Sequence, residues 1–333
     1  MAHDIADPDI PRILLVKTTS LGDVLHNLPV VSDIVRHHPN AQIDWIAEES
    51  FAALPKLHSA VHNVIPVAVR RWRKKLFNPN TWREIRAFRS MLAWEHYDIC
   101  IDTQGLIKSA LLMRGANGTR CGYDKDSARE PLAANMYQYT YPVATGQHAV
   151  ERNRQLVAQA LSYTLEGPAN FGIRLPQVDA FDWLPQIDHK DDYAVLLHAT
   201  SRDDKLWDEA NWVELGNALH QKGIRCVLPW GSPSEQERSE RLAAQIADAI
   251  VPPRLNLDLA AALLGKARAV VGVDTGLAHL AAAVNVPTVG IYTATDPTLT
   301  GLYTGERTLN LGNINQSPDV ASVLDALHGM NAC

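Results

Sequence analysis

A chain of 333 residues is longer than one hydrophobic core usually serves, and its 46% hydrophobic and 20% charged residues are those of a folded globular protein, not of a disordered or fibrous one. A formal charge of −6 speaks against a general nucleic-acid binder. The four cysteines, Cys100, Cys121, Cys226 and Cys333, form no C-x-x-C pair and have no histidine at ligand spacing, so the pattern suggests neither a disulfide framework nor a zinc site and fits a reducing cytoplasm.

The opening MAHDIADPDIP is acidic and lacks the basic stretch and apolar run of a secretory signal. No apolar run approaches the ~20 residues of a bilayer span. RILLVK predicts the first strand, and KTTSLGD follows it, placing Lys17, Gly22 and Asp23 where strand gives way to a helix starting near Val24. Gly22 lets backbone approach a ligand. Asp23 suits a helix cap as well as it suits a ligand-facing group at the strand end. QIDWIA and NVIPVA predict the next strands, and RRWRKK, from Arg70 to Lys75, is a basic cluster on an acidic protein whose partner would be local and anionic. The same residues read as a solvated loop, with Trp72 either a packing residue or a membrane-surface anchor. YDICID predicts a fourth strand.

A stretch from about Leu165 to Lys190, rich in Pro, Gly and Asp, reads as an interdomain connection. Beyond it YAVLLHA, RCVLPW, AVVGVD and PTVGIY predict four more strands. The first leads into Thr200, Ser201 and Lys205 ahead of a helix from Asp208 to Gln221, where hydroxyls and a lysine would grip a phosphate or simply form a solvated loop. AVVGVD leads into Asp274, and Thr275 with Gly276 opens a helix whose free N–H groups and dipole favour an anion. His279 lies on the first turn of that helix, facing the same crevice or satisfied in the core. Pro318 to Gly329 predicts a closing amphipathic helix. Strand runs alternating with helices predict a doubly wound α/β protein: a first domain over 1–165, a linker over 166–190, a second domain over 191–317 and a closing helix over 318–333. In such sheets ligands settle at the carboxyl ends of the strands. Neither G-x-x-x-x-G-K-[ST] nor G-x-G-x-x-G is present, so kinase-type and dehydrogenase-type phosphate cradles are poorly supported.

The segments KTTSLGDVLHNLPV, RRWRK, SAREPLA, HAVERNRQL, LHATSRDDKLW, LPWGSPSE and VGVDTGLAHLAAA occur in the order found in the lipopolysaccharide heptosyltransferases of type I, glycosyltransferase family 9, and the chain resembles that family over essentially its whole length. The resemblance implies the GT-B arrangement, two Rossmann-like domains facing across a cleft. It also implies metal-independent, inverting transfer of L-glycero-D-manno-heptose from ADP-heptose to the first Kdo of Kdo2-lipid A. No cofactor is implied, and the place of work is the cytoplasmic face of the inner membrane, with peripheral membrane contact. Under this resemblance Asp23 is the general base. Lys205, Thr200, Ser201, Thr275 and Gly276 meet the charge of departing ADP. Glu235 contacts the nucleoside, Leu255 lies beside the adenine, and Asp274 and His279 lie near the donor sugar and diphosphate. Arg70, Arg71, Arg73 and Lys74, with Arg129, Lys17 and Gly22, face the anionic acceptor. A type II heptosyltransferase, another GT-B transferase with a different acceptor, and a non-catalytic nucleotide-sugar-binding module are the alternatives. A binding module would have no use for a base at Asp23.

Overall fold

A computed structural model describes residues 12–178, 181–184, 193–200, 202–303 and 305–333. The chain divides into two units, one ending at Arg174 and the other beginning at Leu175. The acidic segment before Arg12 lies outside the described residues.

The first unit runs β1 (Arg12–Val16), α1 (Leu21–Leu25), α2 (Leu28–His37), β2 (Gln42–Glu48), α3 (Ala53–Lys56), β3 (Val61–Val67), α4 (Val69–Lys74) and α5 (Pro79–Trp94). It continues with β4 (His96–Asp102), α6 (Ile107–Met113), β5 (Asn117–Tyr123), β6 (Tyr139–Tyr141) and α7 (Ala149–Ala160). Its strands are parallel, in the order β3-β2-β1-β4-β5-β6. That is the order of a Rossmann sheet, whose direction of winding reverses between its first and fourth strands. Ile13 to Val16 are fully buried, because a central parallel strand is covered by helices on both faces and therefore reads as an unbroken apolar run. Leu14, Val16, Ile65, Phe88, Leu92 and Met113 form the core on one face. On α2 and α7, Asp33 and Arg154 make a buried ion pair at 2.7 Å.

Two strands of this sheet have no counterpart in the sequence reading. In β5 the sequence NGTRCGY has only its last three residues buried, and β6 is a three-residue edge. Gly122 of β5 lies under the Tyr137 ring, where a Cβ would fall 2.3 Å from a ring carbon, so glycine there lets Tyr137 reach Asp102.

The second unit contains β7 (Tyr193–Leu197), α8 (Glu209–Gln221), β8 (Arg225–Val227), α9 (Pro233–Ala243), α10 (Leu257–Lys266) and β9 (Ala269–Val273). After these come α11 (Gly276–Ala283), β10 (Thr288–Tyr292), α12 (Pro297–Thr300), β11 (Thr308–Gly312) and α13 (Val320–Gly329). The parallel order is β11-β10-β9-β7-β8. Counted within the unit this is the flavodoxin-type order, with its switch point between β7 and β9. β11 is again a strand that the sequence reading lacks. The closing helix docks here: Val320, Val323 and Leu327 of α13 are buried in one cluster with Leu196, Leu215 and Val271.

The predicted linker is shared between the units. Arg36 donates to the Glu166 carbonyl at 2.7 Å, Arg154 to the Gly167 carbonyl at 3.2 Å, and the Arg174 N–H to Leu57 at 2.7 Å, all within the first unit. On the other side Leu175 covers Gly265, and Lys266 donates to the Val178 carbonyl.

Candidate functional site

In the first unit polar groups converge where β1 and β4 end, at the switch point. Gln104 ties the two strand ends together. Its amide oxygen accepts from the Thr18 N–H and hydroxyl, both at 2.7 Å, and its amide donates to the Thr19 carbonyl at 2.6 Å. Asp102 is fully buried beneath, accepting from the Gln104 N–H at 2.8 Å and from the Ser109 and Tyr137 hydroxyls at 2.7 Å each. Burial pushes its pKa up against the pull of these donors. Lys17 is buried too, with its ammonium donating to the Thr103 carbonyl at 2.7 Å and to Asn153 at 3.2 Å, and burial brings its pKa down to about 8.

Asp23 occupies the first turn of α1. One carboxylate oxygen accepts from the Ser20 N–H at 2.8 Å, which is the capping reading, and the other meets Arg129 at 2.7 Å. Burial would raise its pKa, but Lys17, Arg129 and the Ser20 N–H outweigh burial and hold it below the usual carboxylate value. Lys108 donates to the Thr19 hydroxyl at 2.9 Å. Burial lowers its pKa, with Arg70 and Arg73 adding to the effect and Glu48 and Asp23 opposing it.

The basic cluster is a helix, not a loop. Trp72 of α4 is buried against Phe88 and donates to Glu84 at 2.7 Å, so it packs the core and is not a membrane anchor. Arg71 is held between Glu49 at 3.1 Å and Glu84 at 2.9 Å, while Arg70 lies over the Phe51 ring at 5.1 Å. Arg73 and Lys74 are exposed.

In the second unit the switch point between β7 and β9 gathers around Asp274. The Thr200 hydroxyl donates to the Asp274 carbonyl at 2.8 Å, and Lys205 and Thr295 donate to its carboxylate at 2.6 and 3.0 Å. The second carboxylate oxygen lies 3.9 Å from Nε2 of the buried His279. Burial opposes ionisation of Asp274, but His279 and Lys205 hold it well below the usual carboxylate range. Thr275 is the N-cap of α11 without a side-chain capping bond, so the first N–H groups of that helix, from Gly276 on, are donors suited to an anion. Glu235 closes a capping box on α9, accepting from Gly231 N–H at 2.7 Å and Ser232 N–H at 3.1 Å. Leu255 is half-buried between α9 and α10. Ser201 lies outside the described residues. Among the described residues no three His, Cys, Asp or Glu side chains converge as metal ligands.

Residues 85–327 match the family described as glycosyltransferase family 9 (heptosyltransferase). The chain belongs to glycosyltransferase family 9. It is 50% identical to lipopolysaccharide heptosyltransferase 1 of Pseudomonas aeruginosa over 305 residues, which cover 91% of this chain and 84% of that one. Among solved structures it resembles the Escherichia coli heptosyltransferase WaaC with ADP, at a TM-score of 0.88 and 42% identity, covering 96% of this chain and 99% of that one. The E. coli WaaC structure with ADP-2-deoxy-2-fluoro heptose gives 0.85 at 42% identity, over 95% and 99% of the two chains. The α/β fold, two doubly wound units, is thus of the GT-B type.

Within this family 9 chain the geometry groups the sequence-predicted residues by unit. Asp23 and Arg129 touch, and Arg70 and Arg73 act electrostatically on the nearby Lys108. Lys17 belongs to the same group: its ammonium donates to Thr103 and Asn153 and acts electrostatically on Asp23 and Arg129. Thr200, Lys205, Asp274 and His279 form one cluster. Sequence reasoning missed Lys108 and Gln104, which follow β4 in DTQGLIKS, and Thr295, which follows β10. The rule of polar residues after a strand, applied to YDICID and PTVGIY, would have found all three.

Proposed function

We propose that this family 9 enzyme is a type I heptosyltransferase, moving heptose from ADP-heptose to the first Kdo of Kdo2-lipid A with inversion and without a metal, peripherally at the cytoplasmic face of the inner membrane. The observation that carries the reading is Asp23, a carboxylate kept ionised at a cationic strand end by Lys17, Arg129 and the Ser20 N–H. A base on the face of the anomeric carbon opposite the leaving diphosphate suits direct displacement, which inverts that carbon.

In this mechanism the acceptor's carboxylate takes over Arg129, with Arg70, Arg73, Lys74 and Lys108 meeting the remaining negative charge. Asp23 is thereby released from its ion pair. It accepts the proton of the acceptor hydroxyl as that oxygen bonds to the anomeric carbon. The bond from that carbon to the diphosphate oxygen breaks on the opposite face, and ADP leaves with the electron pair. Lys205, Thr200, Ser201 and the N-terminal N–H groups of α11 receive the developing charge. Asp274 holds the Lys205 ammonium aimed until the diphosphate competes for it. Glu235 and Leu255 flank the nucleoside. The cocrystallised ADP and ADP-fluoroheptose of the E. coli relatives support an ADP-sugar donor.

The test is product analysis with ADP-heptose and Kdo2-lipid A, scoring the mass added and the anomeric configuration by NMR. An α/β outcome identical to the donor's would refute inversion, and transfer only to an already heptosylated acceptor would point to type II.

A further inference from the structure

The stretch from Val69 to Trp94 carries eight Lys and Arg residues against one acid, Glu84, on a chain whose formal charge is −6. It also contains five of the large apolar side chains that stand exposed in this protein: Leu76, Phe77, Trp82, Met91 and Trp94. Phe77 is fully exposed and Trp94 is 85% exposed. Isolated exposed apolar residues are ordinary, but aromatic residues gathered on one basic segment are not.

The local structure displays them on purpose. Asn78 caps α5 by accepting from Asn80 N–H at 2.9 Å, and Trp82 reaches back to donate to the Leu76 carbonyl at 2.7 Å. The turn that presents Phe77 is therefore pinned at both sides. Along α5 the inner stripe is Thr81, Phe88 and Leu92, all buried. At about 100° per residue Trp82 and Trp94 lie about 120° apart around the helix, and Arg83, Arg86 and Ser90 fall between them with Arg89 alongside. The outer face is thus tryptophan and arginine with no acid, since Glu84 is turned to Arg71 and Trp72. Tryptophan and arginine both combine an apolar body with a polar tip, the composition that settles at the headgroup level of a bilayer.

We propose that the α4–α5 segment docks this enzyme on an anionic phospholipid bilayer, with Phe77 and Trp94 entering the interface and Arg83, Arg86 and Arg89 meeting lipid phosphates. The occupant follows from charge complementarity, a net positive face on an acidic protein, and the inference rests on the lipid-linked acceptor proposed above. α4, which holds Arg70 and Arg73, immediately precedes the docking turn, so docking would bring the acceptor-facing cations to the membrane surface.

Two variants test it, Phe77→Ser/Trp94→Ser and Arg83→Ala/Arg86→Ala/Arg89→Ala, by cosedimentation with vesicles of phosphatidylethanolamine and phosphatidylglycerol and with neutral phosphatidylcholine vesicles. The wild type should bind the anionic vesicles. The arginine variant should bind on the order of 100-fold more weakly, and the aromatic variant at least roughly tenfold more weakly, with unchanged melting temperatures. Trp fluorescence of the wild type should be quenched by brominated lipid. Transfer to an acyl-free Kdo acceptor should be unchanged in both variants, and transfer to vesicle-embedded acceptor should fall. Undiminished vesicle binding by both variants would overturn the proposal. So would wild-type dimers that the variants lose, without vesicle binding, because the face would then join two copies of the chain. Failure of the wild type to transfer heptose to either acceptor would refute the function while the vesicle result still decided the docking surface.

Discussion

The carboxylate of Asp23 answers to four influences at once: burial, which favours its protonated form, and the cations Lys17 and Arg129 with a backbone N–H, which favour the ionised form and prevail. Replacing Asp23 by Asn keeps the cap and removes the proposed base, so turnover should fall by at least ~10²-fold while ADP affinity holds. Steady-state rates and ADP titration check this, and near-normal turnover would refute the role. The pH profile follows the same balance. With its pKa depressed, Asp23 stays ionised at pH values where an ordinary carboxylate is already titrating, so the acid limb of kcat/KM should lie below the usual carboxylate range. In Lys17→Met one of the cations that depresses it is gone, and the limb should move to higher pH. A limb that stays in place would show that Lys17 does not act on the base. Lys17 also marks a limit of the sequence. Its position after β1 was legible, but whether the ammonium points to ligand or to Thr103 depends on where β4 ends, 86 residues away.

Helix α4 illustrates the same limit for an element. RRWRKK has too many charges to read as a helix by its own apolar period, and its single buried side chain, Trp72, becomes intelligible only with Phe88 and Glu84 of α5 beside it. Strands β1, β2, β3, β4, β7, β8, β9 and β10 were legible because each carries a short aliphatic or β-branched run, unbroken in β1, β7 and β9 and interrupted by Asp44 in β2 and Asp98 in β4. NGTRCGY, YTY and TLNLG escaped because β5 is buried only at its end, while β6 and β11 lie at sheet edges and carry polar residues. On α9 the capping box gives Glu235 a structural duty that is separable from the nucleoside contact proposed for it. Glu235→Gln keeps a capping-box side chain and should leave the melting temperature nearly unchanged while weakening ADP binding. Glu235→Ala should lower stability as well, by about 1 kcal/mol. Unaltered ADP affinity in both variants would reduce Glu235 to its structural duty.

For the molecule as a whole, the alternation of strands and helices made the doubly wound class and the two units legible, but not the strand orders. Those depend on which side of the sheet each crossover takes, and the apolar runs carry no mark of it. The orders matter because each puts its own switch point under a different cluster, β1 and β4 under Asp23, β7 and β9 under Asp274. ADP should therefore slow hydrogen exchange around residues 198–205 and 274–279 and leave residues 17–23 unchanged. It should raise the melting temperature, with about 2.7 kcal/mol of stabilisation at a concentration 100 times its Kd. Protection at residues 17–23 instead would misassign the two halves. Because the proposed leaving-group charge is met by Lys205 and helix dipoles, transfer should persist in excess EDTA, and a loss restored by Mg²⁺ would contradict that proposal.

The Arg129–Asp23 ion pair, at 2.7 Å, has a bearing on what happens when donor is bound and acceptor is absent. In the proposed mechanism, a free carboxylate beside the activated sugar would deprotonate water as readily as an alcohol, and the nucleotide sugar would be hydrolysed to no purpose. With one oxygen occupied by a guanidinium, Asp23 would be a poor partner for water, and an anionic acceptor would draw Arg129 away. Arg129→Ala should accordingly do two things: weaken use of the anionic acceptor, and increase the slow release of free heptose from ADP-heptose when no acceptor is supplied. In the wild type the same salt bridge would act as a safety catch, reserving the chemistry for the molecule it is meant to lengthen.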